Sequence, residues 1–197
     1  MHSAPRQLLV CVLTATLTAV AGCGDSGPPP APGGRSSAPA ASASSGAPGF
    51  FGGTDLAWLE INIAMDEQLM PLLDLVTARS GSADVKSLAV EVQAFHEQEL
   101  TTLRRLHDLA KLPAENPHKG MPMPGMVTAE QVTEAAAAKG TGFDALLLTR
   151  LREHMEQGVH LADSELKAGI EPQSLALARQ VLRNRDTYLP RVIGLKK

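Results

Sequence analysis

The densest group of metal-seeking side chains in the sequence is His118-Lys119-Gly120-Met121-Pro122-Met123-Pro124-Gly125-Met126, three thioethers and one imidazole within nine residues. A thioether is soft and uncharged and ligates without losing a proton, so it suits Cu(I), while imidazole also accepts Cu(II) and Zn. Outside the cytoplasm it also escapes the oxidation to disulfides that cysteines suffer. Two readings are open. Either His118, Met121, Met123 and Met126 hold a copper ion, or the methionines pack over the end of a helical domain as flexible apolar filler.

A second group is Met65, Asp66, His154 and Met155. Leu147, Leu151, His154, Gly158 and Leu161 recur at heptad-like spacing, so His154 points along an apolar stripe, with Met155 beside it. Asn62 and Asp66, four residues apart, share an inward face, and buried polar groups must find partners; His154 and Arg150 are the candidates. One His, one Asp and two Met form a possible ligand set. The alternative is a core histidine hydrogen-bonded to Asp66, without metal. His96, Glu99, Leu103 and His107 share a helix face, yet His96 and His107 stand about 16 Å apart along the axis, too far for one ion. Glu99 and Asp186 are expected to pair with arginines such as Arg183 or Arg104. His160, beside Glu153 and Glu156 on a polar face, reads as solvated.

Other chemistries find no support. A formal charge of −3 offers no basic field for nucleic acid. The two cysteines, Cys11 and Cys23, precede the folded region, which rules out a disulfide framework and a thiolate zinc site there. Diiron oxidases of the ferritin type need Glu-x-x-His on two helices, and the helical segments contain none. It also has no Gly-rich phosphate loop after a strand and no recognisable nucleophile–His order. The expectation is a binding protein rather than an enzyme.

The elements that must position these groups are helical. Aromatics make up only 3% of the 197 residues, against 44% hydrophobic, a balance that fits Ala/Leu-rich helices rather than a β-sandwich. Periodicity predicts helices over 55–79, 84–111, 142–167 and about 172–191, with a short one opened by the capping box Thr128-Ala129-Glu130-Gln131. The halves superpose. At an offset of 89 residues Asp55 falls on Asp144, Glu67-Gln68 on Glu156-Gln157 and Asp74 on Asp163. A repeated hairpin covers its apolar face with its copy, which predicts an all-α four-helix bundle with repeats at about 55–111 and 143–191.

Ahead of the helices, Arg6 and the apolar run 8–20 read as a secretory signal. Val20-Ala21-Gly22-Cys23 resembles the bacterial lipobox, which implies cleavage after residue 22, acylation (palmitate) of Cys23 and firm membrane anchoring through the acyl chains. Residues 23–53 are almost wholly Gly, Pro, Ser and Ala, a composition expected to form a flexible tether. Residues 54–197 form the expected folded domain.

Taken in order, Phe143-Asp144, His154-Met155-Glu156-Gln157 and a His- and Met-rich connector ending Met123-Pro124-Gly125-Met126 resemble the domain of unknown function 305 family over residues 55–191. The resemblance implies a ferritin-like helical bundle, secreted or lipid-anchored, of a kind that in some members binds copper. Where the family carries two His-His pairs, this chain has Met65-Asp66 and His154-Met155, and His96 replaces a family Gln. The functional expectation is an extracytoplasmic, membrane-anchored bacterial lipoprotein that buffers or handles a soft metal, copper. The competing expectation is a metal-free interaction module at the cell envelope, with a protein partner that the sequence does not specify.

Overall fold

The computed structural model describes residues 49–195, all within one compact unit. The signal segment, Cys23 and most of the Gly/Pro/Ser/Ala segment therefore lie outside the described residues. The elements are α1 (Gly53–Asp74), α2 (Val76–Arg79), α3 (Ala83–Leu109), α4 (Ala129–Ala137), α5 (Thr141–Ala168) and α6 (Pro172–Leu195). Among the described residues there is no strand. Five are true helices and α2 is a single turn.

Local chemistry sets the ends. The Ser82 hydroxyl accepts from Val85 N–H at 3.3 Å and caps α3. Thr128 and Gln131 close the expected box on α4, at 3.3 and 3.0 Å. Pro172, whose missing N–H costs nothing in a first turn, opens α6. The expected single helix over 55–79 is instead interrupted at Leu75, whose N–H reaches back only three residues to the Leu72 carbonyl at 3.3 Å. The turns before α3 and before α5 touch: Gly140 N–H donates to the Arg79 carbonyl at 2.8 Å. Gly140 sits at φ 56°, a left-handed conformation that glycine takes without strain.

α1 packs on α3 and α5 on α6; the two pairs meet through α1–α5 and α3–α6, while α4 touches α1 and α5. Two apolar clusters fill the interior. One gathers Leu69, Leu72, Leu88, Val92, Phe143 and Leu151. The other gathers Trp58, Leu59, Leu103, Leu106, Leu177 and Val181. Along every long helix a buried polar residue falls between the two: Asp66 on α1, His96 and Glu99 on α3, His154 on α5 and Arg185 on α6.

A smaller polar knot ties the start of α1 to the α5–α6 turn. Asp55 accepts from Gly52, Ile170 and Glu171 N–H at 2.7, 3.0 and 3.0 Å. Burial raises its carboxyl, but these bonds and the neighbouring Glu165 outweigh that and leave it below its usual value. Glu165, fully buried beside it, is pushed up to about 8, by burial first and then by Asp55 and Glu171. At neutral pH Glu165 is therefore protonated. Unfolded, the same group ionises near 4.5. The native state holds the extra proton between those values, so its stability falls as pH rises from 4.5 to about 8 and then levels. Glu165→Gln, neutral and of the same shape, is expected to flatten that slope and to leave the variant about 2 kcal/mol more stable relative to wild type at pH 9 than at pH 4. Urea titrations at several pH values measure it, and parallel curves for the two proteins would refute the assignment.

Candidate metal centre

His96 has a fixed tautomer. Its Nδ1 lies 2.8 Å from the Val92 carbonyl, which can only accept, so Nδ1 carries the proton and Nε2 presents a lone pair. Burial first, then the charge of Arg185 and the neighbouring His154, hold the imidazole well below its usual pKa, and it is neutral. That lone pair faces two groups from other helices. His154 Nε2 is 3.1 Å away and Asp66 Oδ1 3.9 Å; His154 Nε2 and Asp66 Oδ1 are 3.3 Å apart. All three residues are buried.

Three helices thus aim one donor atom each at a common point, within 4.8 Å of one another. Ligands bound tetrahedrally at 2.0–2.1 Å stand about 3.3–3.4 Å apart. The observed 3.1, 3.3 and 3.9 Å bracket that spacing. Two imidazoles and a carboxylate form a borderline donor set that accepts Zn(II), Cu(II) and related ions.

The cluster is incompletely satisfied by itself. Asp66 Oδ2 and His154 Nδ1 are buried without hydrogen-bond partners. Exchanging the roles of the two His154 ring nitrogens relieves neither. Such orphans are rare in a core and call for an explanation, an ion among them. The nearest fixed charges are already used. Glu99 and Arg185, each 1% exposed in its side chain, form a bidentate pair at 2.9 and 2.9 Å, and Asn184 adds a bond to Glu99 at 3.0 Å. Burial, with Asp66 adding to it, raises the Glu99 carboxyl against the pull of Arg185.

Of the residues singled out in the sequence, Asp66 and His154 come together in this cluster. Met65 is buried but packs with Ala64 and Met126, and Met123 leans on the same group. Met155 is buried in the first apolar cluster. Met121 is 46% exposed, and His118 is held by Asn116, whose side-chain oxygen accepts from His118 N–H at 2.9 Å. The nine-residue connector is therefore split: Met123 and Met126 turn inward while Met121 turns to solvent, and His118 is not in the buried cluster. Neither expected arginine pairs with Glu99; Arg104 instead binds Glu67 at 2.8 Å on the surface. Asn62 donates to the Trp58 carbonyl at 2.7 Å rather than to His154, and Arg150 pairs with Glu153 at 2.8 Å.

His96 is the member of the cluster that its own helix does not announce: the histidine in line with it there is His107, whereas its partners come from α1 and α5. Its place in the buried series Val92, Phe95, His96, Glu99 was the available signal.

The fold and site define an all-helical protein with a His/His/Asp cluster at the centre of its core. The profile of the Domain of unknown function (DUF305) family matches residues 55–190, and the chain belongs to that family. Two solved structures share its fold. A putative secreted DUF305 protein from Streptomyces coelicolor is 20% identical with a TM-score of 0.64, covering 72% of this chain and 89% of that one. A DUF305 fragment from Deinococcus radiodurans is 16% identical with a TM-score of 0.66, covering 74% and 97%. No curated protein matches. Among the described residues no helix is long and apolar enough to cross a membrane.

Proposed function

We propose that the chain is a lipid-anchored extracytoplasmic protein that binds one transition-metal ion, copper, between Asp66, His96 and His154, for buffering or handling rather than catalysis. The carrying observation is the buried convergence of three donors at ligand spacing, with two buried polar atoms beside them unpaired. Copper is favoured over zinc by the thioethers of Met65, Met123 and Met126, which gather on one side of α1. The scaffold is read as a ferritin-like four-helix bundle built from a duplicated hairpin. Cys23 in its lipobox setting supplies the membrane attachment, and the secreted relative accords with an extracytoplasmic location.

The test is a titration of the full-length chain with Cu(I), Cu(II) and Zn(II) against competing chelators, read with unfolding curves. One equivalent is expected to bind. An ion that binds only the native state raises the unfolding free energy by about 2.7 kcal/mol at 100 times its dissociation constant. A chain that holds none of the three ions against a weak competitor, and whose melting they do not move, refutes the proposal.

A further inference from the structure

The buried cluster needs a way in, because Asp66, His96 and His154 are at most 2% exposed. The connector supplies it. Gly125 has φ 74°, and a Cβ built there would fall 2.5 Å from Gln157 Cβ and 2.8 Å from the Glu153 carbonyl oxygen. The loop backbone is thus pressed against the turn of α5 that carries His154. Its next residue, Met126, is buried against Ala64 and Met65 of α1, the residues just before Asp66. The loop therefore covers the α1–α5 seam at the level where Asp66 and His154 meet.

Met123, half-buried, packs on the cluster of Ala64, Met65 and Met126 and also lines an open groove of about 420 Å³. Met126, Glu153, Glu156 and His160 share that groove. Its rim is thus acidic, and its floor is thioether with an imidazole at hand. From there Met123, Met126 and Met65 belong to one packed group that leads from the groove to buried positions on α1.

We infer that Met123, Met126 and Met65 form a thioether pathway that takes a soft monovalent cation of the Cu(I) class from this groove and passes it by ligand exchange to Asp66, His96 and His154. The inference rests on the metal reading of the buried cluster. No electron moves: the ion keeps its charge, and each neutral sulfur is displaced by the next donor. His160, exposed on the groove, is assigned the capture step rather than the solvated role that its position in the sequence suggests.

The experiment uses Ag(I), a redox-inert probe of the same class, added to full-length chain labelled in the methionine methyls and histidine rings for NMR. Met123, Met126 and Met65 methyls are expected to shift together with the His96 and His154 rings, while exposed Met121 stays still. Met123→Leu, at a half-buried position that tolerates a similar apolar volume, is expected to slow loading of the histidine pair at least tenfold. Loading at the wild-type rate overturns the pathway. Shifted rings with unmoved methyls overturn the pathway and keep the buried site. Moved methyls with silent rings refute the buried site, and delivery to it with them. Silence in both refutes both.

Discussion

Glu99→Leu is expected to cost about 3–5 kcal/mol of folding free energy, the largest effect of any single substitution in the polar layer. The reason is what it leaves behind. Arg185 is 1% exposed, and its two terminal nitrogens donate to the two Glu99 oxygens at 2.9 Å each, while its Nε is buried without a partner. Gly158 makes room for it, since a Cβ there would stand 3.1 Å from Arg185 Nε. The Phe95 ring lies 5.2 Å from its carbon centre. Without Glu99 the cation has no fixed partner and little water. Glu99→Leu combined with Arg185→Met removes both charges and fills the space with apolar volume, so most of the loss is expected to return. Denaturant midpoints of wild type and the two variants measure this. A double variant as unstable as the single one would mean that shape, rather than the stranded charge, carries the cost.

The helices were legible in the sequence because apolar spacing, caps and breakers agree. The limits of α3 and α5 fall within about two residues of those expected, α4 opens at its expected capping box, and α6 runs on to Leu195. The interruption at Leu75 was not legible, because Leu75 fits the apolar pattern on both sides of it. The cluster was half legible. Asp66 and His154 each sit on an inward face, and a pseudo-twofold arrangement brings α1 towards α5. His96 was not, since a single helix carries no record of which partner helix faces it. The same limit explains Glu99. Its charge demanded an arginine, but Arg185 was chosen over Arg183 and Arg104 by the rotation of α6, which the sequence expresses only through the packing of Leu177, Val181 and Val192. The connector shows a third kind of limit. Its composition was plain, yet the sorting of Met123 and Met126 inward from Met121 depends on a left-handed glycine lying against α5.

Asp66→Asn is expected to move stability and metal affinity in opposite directions. In the metal-free protein the Asp66 carboxyl has Oδ2 unpaired, and Oδ1 sits between two imidazole nitrogens, of which His96 Nε2 brings only a lone pair. An amide suits this site better. Its NH2 group, in the place of Oδ1, can donate to an Nε2 lone pair that a carboxylate oxygen cannot use, and it buries no charge. Filling an unsatisfied position of this kind is worth about 1–2 kcal/mol, so the metal-free variant is expected to melt higher than wild type. The amide oxygen is a weaker ligand that brings no negative charge to offset the ion. Affinity is therefore expected to fall by more than the roughly 10–100-fold that loss of an outer hydrogen-bond partner costs. Melting in the presence of a chelator and competitive titration read the two effects separately. A variant that melts lower and binds metal as wild type does would assign Asp66 to structure, whereas the opposite pair of signs is what a residue kept for an ion, at the expense of the fold, must give.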